Sequence, residues 1–130
     1  GGEADIFYLF DDNGKLVLGS YTILNFDRDA EEVSLKALNG IKEELINKYN
    51  EPKHEAEIIE HEENDILRTR QSRYFWDLDN TFIILDLYGD HTVYHIDVIY
   101  AEKKHYEGSP WHEDKLSFFN ESSASYENDL

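Results

Sequence analysis

YFWDLDNTFIILDLYGDHTVYHIDVIY, residues 74–100, holds the densest apolar alternation in the chain and decides how the rest is arranged. It reads as a strand arriving at an antiparallel hairpin. Gly at the first central position is what a two-residue type II′ turn requires, so Gly89 and Asp90 are the expected loop. That loop pairs Leu87 with Thr92, Leu85 with Tyr94, Ile83 with Ile96 and Thr81 with Val98. Side chains alternate with period 2, so these pairs share one face, the expected core face. The opposite face carries Tyr88 with His91, Asp86 with Val93, Ile84 with His95, and Phe82 with Asp97.

Working outward, the mate for the core face is the segment between Asp27 and Asn50. Leu35, Leu38, Ile41, Leu45, Ile46 and Tyr49 recur at helical spacing and form one stripe. Asp29 with Glu32 has the spacing of a capping box, Asn50 suits a left-handed residue after the last turn, and Pro52 forbids continuation. Gly40 interrupts the stripe, which is the expectation for a close approach to the sheet. Upstream, IFYLF and KLVLG flank Asn13-Gly14, a tight-hairpin signal. Asp11, Asp12 and Asn13 do not make a calcium loop, since Lys15 and Leu16 stand where a ligand and glycine belong.

Residues 51–65 carry seven acids and read as a charged edge strand or a loop. Arg68, Arg70 and Arg73 follow as the one basic cluster. They are expected to neutralise the acids beside them rather than to bind an anion. Beyond Tyr100, Ser109-Pro110 starts a short helix with Trp111 and Phe118 on its apolar side, and a polar tail follows. The expected architecture is α+β in the order β-β-α-β-β-β, one mostly antiparallel sheet with a single main helix on one face. A single domain is expected over 1–107, and 108–130 is expected to be a short helix followed by a disordered tail.

Composition narrows the function classes. A net charge of −17 repels phosphate backbones and anionic bilayers, so neither nucleic acid nor a membrane surface is an expected partner. No apolar run reaches the roughly 20 residues a membrane-spanning helix requires. With no Cys, disulfides and thiol chemistry are excluded. The chain begins Gly-Gly-Glu-Ala and contains no Met, the expectation for a segment whose leader has been removed.

None of the six histidines lies in a zinc-binding helical pattern. On a strand, His91 and His95 are ~13 Å apart at ~3.3 Å per residue, too far for one metal ion. No motif calls for a metal or a cofactor, and no nucleophile elbow, phosphate loop or dinucleotide fingerprint is present. The outer face of the hairpin is nevertheless too apolar for plain solvent surface, and it sets aromatic, histidine and carboxylate side chains together. Phe82, Asp86, Tyr88, His91, His95 and Asp97 are the candidate binding residues.

The order of motifs resembles small secreted or lipid-anchored bacterial domains of uncharacterised function. The resemblance rests on Gly14-Lys15-Leu16, Lys48-Tyr49, Pro52, Trp76, Asn80-Thr81, Ile83, Leu85 and Ile99-Tyr100. Asn50 stands where that group usually has Gly, and Asp129-Leu130 where it has Gly-Leu. The resemblance implies an α+β domain like the β-lactamase-inhibitor proteins, an extracytoplasmic location and a lipid anchor upstream of Gly1. The matching residues are turns, caps and core strands, so no functional residue carries over. The expected function is a non-catalytic extracytoplasmic interaction module with a protein partner or a second copy. The alternative is a small-ligand or metal-binding protein or enzyme that uses the His/Asp patch.

Overall fold

The computed structural model describes residues 2–61, 68–90 and 92–128. Six strands form one antiparallel sheet: β1 (Gly2–Phe10), β2 (Leu16–Asn25), β3 (His54–His61), β4 (Arg68–Asp77), β5 (Thr81–Asp90) and β6 (Tyr94–Glu102), in the spatial order β1-β2-β6-β5-β4-β3. Helix α1 (Ala30–Tyr49) follows β2, and two helices close the chain: α2 (Lys103–Tyr106) and α3 (Pro110–Asn128). The order is therefore β-β-α-β-β-β-β-α-α. The added strand is β3, built from the start of the acidic run, whose later residues 62–65 lie outside the described residues. The segment expected as a short helix with a disordered tail is helical from Pro110 to Asn128.

The β5–β6 hairpin keeps both expected faces but not the expected register. Ile83 pairs with Tyr100, Leu85 with Val98, Leu87 with Ile96 and Tyr88 with His95. Each partner lies four positions further along β6, as with Tyr100 in place of Ile96. An even slip leaves every side chain on its own face, which is why the core survives the error. The cause is local chemistry at the turn. The Asp90 carboxylate accepts hydrogen bonds from the Thr92 amide (2.9 Å), the Thr92 hydroxyl (2.9 Å) and the Val93 amide (3.2 Å). Asp90 thus closes the reversal as an Asx turn, and the Asp90 amide donates to the Val93 carbonyl at 3.1 Å. Gly89 belongs to the strand. A Cβ there would lie 2.2 Å from the Val93 carbonyl oxygen, so glycine is needed for close approach.

The first hairpin turns where expected, with Gly14 at φ 80°. Its acid also has a backbone role: Asp11 Oδ1 accepts from the amides of Asn13 and Lys15, each at 2.9 Å. The backbone hydrogen bond from Lys15 is the main reason the Asp11 carboxyl sits below its ordinary value.

Helix α1 lies across β2, β5 and β6. Leu38 and Leu45 pack with Trp76, Ile83, Leu85, Leu87, Tyr94, Ile96 and Val98, flanked by Leu35, Ile41, Ile46 and Tyr49. The capping box does not form: Asp29 makes no side-chain cap hydrogen bond. Asn25 Nδ2 instead reaches Ser34 Oγ at 2.9 Å, and the Tyr94 hydroxyl donates to the Glu31 carboxylate, tying the first turns to the sheet. At the other end Asn50 takes φ 71° as expected, and its carbonyl accepts the buried Trp76 indole N–H at 2.8 Å. Gly40 does not approach the sheet. It is exposed, and a Cβ there would meet nothing within 4 Å.

The opposite sheet face has its own core. Phe118 and Phe119 of α3 close over Phe75, Phe82, Ile84, Leu18 and Ala101. Two helical layers therefore sandwich the middle of the sheet and the β3 side. Strand β1 lies beyond them, exposed along all nine of its residues.

Candidate functional site

Six residues of the outer face were candidates from sequence, and the fold gives them different environments. Phe82 is buried, stacked on His112 at 4.4 Å between ring centroids and tilted against Phe75 at 5.4 Å. It is occupied by packing. Asp86 is also buried, held by Arg73 from the adjacent strand. Arg73 Nε lies 2.6 Å from Asp86 Oδ1, and Nη2 lies 3.0 Å from Oδ2. Arg73 Nη1 donates to the Lys115 carbonyl of α3 at 3.0 Å, and the Phe118 ring sits 4.9 Å from the guanidinium carbon. Burial pushes the Asp86 carboxyl up, and the hydrogen bonds and charge of Arg73 only partly offset it. Asp97 stands directly across from Asp86 and accepts the Thr22 hydroxyl at 2.7 Å.

Tyr88 and His95 form the open end of the strip. Their rings stack at 4.5 Å and 2°, a consequence of the observed register, which sets them directly opposite. Partial burial raises the Tyr88 phenol above its ordinary value. Both line a cleft of about 550 Å³ with Ile58, Gln71, Val93 and Phe118. His91 lies outside the described residues. Among the described residues, no group of three or more His, Cys, Asp or Glu is disposed to hold a metal.

The arginine cluster divides as well. Arg70 pairs across β3–β4 with Glu57 at 2.9 Å, the neutralising role its acidic neighbour suggested. Arg73 instead serves the buried Asp86.

A surface that the sequence did not single out is the wing made by β1 and its neighbour β2. Ile6, Phe7, Tyr8, Leu9 and Phe10 are 62%, 54%, 55%, 41% and 60% exposed. Pleating puts Phe7 and Leu9 on one side of the wing and Ile6, Tyr8 and Phe10 on the other. Tyr21 and Tyr100 extend the second group toward α1, where a cleft of about 390 Å³ opens between Ile41, Lys48 and Tyr49. In sequence, residues 6–10 mark one arm of the first hairpin, and an unbroken apolar run does not by itself tell a covered strand from an exposed one. The missing signal was the position of the strand in the sheet.

No protein-family model, no curated protein and no solved structure matches the chain.

Proposed function

We propose that this chain is a non-catalytic extracytoplasmic interaction module that docks a protein partner on the β1–β2 wing. The observation that carries the reading is the row of five consecutive large apolar side chains, residues 6–10, exposed on both faces of an edge strand. Scattered surface apolar residues are ordinary, but a contiguous two-sided patch of this kind marks an interaction surface. The candidate carboxylates point the same way, because Asp86 and Asp97 are engaged in structural pairs. The extracytoplasmic setting rests on the resemblance to secreted and lipid-anchored domains.

The test is site-specific photo-crosslinking in the source cell, with benzoylphenylalanine in place of Phe7 and, as a control, in place of the exposed Lys36 of α1. A discrete adduct from the Phe7 position and none from Lys36 is the expected result. Equal labelling from both positions, or no adduct, removes the reading.

A second reading has one observation in its favour, the parallel Tyr88–His95 pair lining a cleft large enough for a small planar ligand. His95→Ala would abolish such binding while leaving the Phe7 adduct intact.

A further inference from the structure

We infer that the outer edge of β1 receives an extended segment of a partner protein as an additional strand, and that this segment has an apolar centre flanked by lysine or arginine. The inference rests on the docking reading above and names the occupant.

The two edges of the sheet are treated differently. Edge strands expose unpaired N–H and C=O groups, and folds protect them with charges, prolines, bulges or a covering element. At the far edge, β3 carries Glu55, Glu57 and Glu60, and α3 packs beside it. At the near edge, β1 runs for nine residues with neither Lys nor Pro. Its two acids, Glu3 and Asp5, stand in its first half, and its one irregularity lies at Leu9/Phe10, at the end of the strand. Residues 6–10 carry no charge and, among the described residues, have no helix beside them. β1 pairs with β2 alone, so its second row of backbone groups is unpaired among the described residues. The backbone of an added strand would satisfy that row, and its side chains would lie against residues 6–10 on alternate faces.

Charge selects the occupant. The apolar centre is bracketed by Glu3 and Asp5 before it and by Asp11 and Asp12 after it, in a molecule of net charge −17. A second copy fits poorly. Antiparallel self-pairing that superposes the apolar centres sets Ile6 opposite Phe10 and Phe7 opposite Leu9. The same register brings Asp5 of each copy against Asp11 of the other. Like charges directly opposite are destabilising, and the overall repulsion adds to them. A strand with basic ends reverses both terms and is steered to the wing from solution.

The experiment measures fluorescence anisotropy with three labelled nine-residue peptides. The first has a five-residue centre of alternating valine and tyrosine with two lysines at each end. The second replaces the lysines by glutamates, and the third keeps the lysines but methylates every backbone nitrogen of the centre. The expected result is binding of the first at least tenfold tighter than either of the others. The lysine peptide's advantage over the glutamate peptide should be largely lost in Asp5→Lys/Asp12→Lys, and also in Glu3→Lys/Asp5→Lys, which leaves the turn untouched. Each variant leaves two acids and two lysines around the apolar centre. Circular dichroism checks that both variants are folded.

Equal affinity for the lysine and glutamate peptides overturns the charge assignment. Equal affinity for the methylated peptide overturns strand addition. Concentration-dependent self-association removed by Phe7→Thr makes a second copy the occupant and overturns the inference. Failure of all three peptides beside a discrete Phe7 adduct overturns the inference but leaves the docking reading standing. Failure of the adduct removes that reading itself.

Discussion

Arg73 and Asp86 meet as a two-pronged ion pair inside the protein, at 2.6 Å and 3.0 Å, with side chains only 8% and 7% exposed. The same guanidinium reaches the Lys115 carbonyl, so one side chain links the middle of the sheet to the helix that covers it. Removing one partner leaves the other as an uncompensated buried charge. Asp86→Ala is expected to lower stability by about 3–5 kcal/mol, measured by urea denaturation. The joint change Arg73→Met/Asp86→Leu should recover most of that loss, since well-packed apolar groups can replace a buried pair. A double variant no better than Asp86→Ala would show that the ion pair is not the source of the loss.

The same linkage makes α3 the cover of the second core. Ending the chain after Glu107 removes Phe118 and Phe119 from above Phe75, Phe82 and Ile84. A naphthalene-sulfonate dye should then bind with enhanced fluorescence, and the melting temperature should fall. A truncated chain with unchanged dye binding would mean that α3 does not cover that face.

Gly89→Ala tests the hairpin register. A Cβ at this position meets the Val93 carbonyl at 2.2 Å and the Tyr94 Cα at 2.8 Å, both backbone atoms that cannot step aside. The expected cost is about 1–3 kcal/mol, the range for forced overpacking. With the turn at Gly89-Asp90 instead, glycine would be needed for its backbone angles. The two cases separate by amide exchange: the Asp90–Val93 pairing should lose protection in the variant, while β1–β2 amides stay protected.

Gly40→Ala should have the opposite sign. Gly40 is exposed within α1, and an added methyl meets nothing, so the substitution only improves helix propensity and restricts the unfolded chain. A gain of about 0.5–1 kcal/mol is expected in the same denaturation assay, and a loss would reveal a contact of Gly40 with the rest of the fold.

Asp77 supplies a pH dependence of known sign. Burial acts to raise its carboxyl, but Lys103 at 2.7 Å and Lys53 at 3.2 Å together outweigh it and leave it below 3.8. A carboxylate whose folded value is depressed binds fewer protons folded than unfolded. Its stabilisation is therefore complete well above pH 3.8 and is lost as pH falls through the lower folded value. Asp77→Asn should flatten the acid limb of the stability curve below about pH 4 and shift it little between pH 6 and 8. An unchanged acid limb would count against this pairing.

Several of these features were legible in the residues. Asn13-Gly14 marked the first turn, the α1 stripe and Asn50 marked the helix and its exit, and alternation assigned both faces of β5 and β6. Each depends on chemistry within a few neighbouring positions. Asp90 was readable too, as an Asx-turn residue, but Gly89 beside it offered the simpler turn.

What the sequence determined by itself was therefore local: turns, helix ends, and the side of the sheet each residue faces. Period-2 alternation survives a four-residue slip, so the core was assigned correctly from a wrong register. Tertiary structure decided which partners meet. Arg73 finds Asp86, Tyr88 finds His95, and α3 closes over Phe82 because strand order and helix placement bring distant segments together. It also decided the fate of residues 6–10. An apolar strand looks the same in sequence whether it lies at the centre of a sheet or at its edge. Its exposure depends on how many strands and helices lie beyond it, and that is a property of the whole fold.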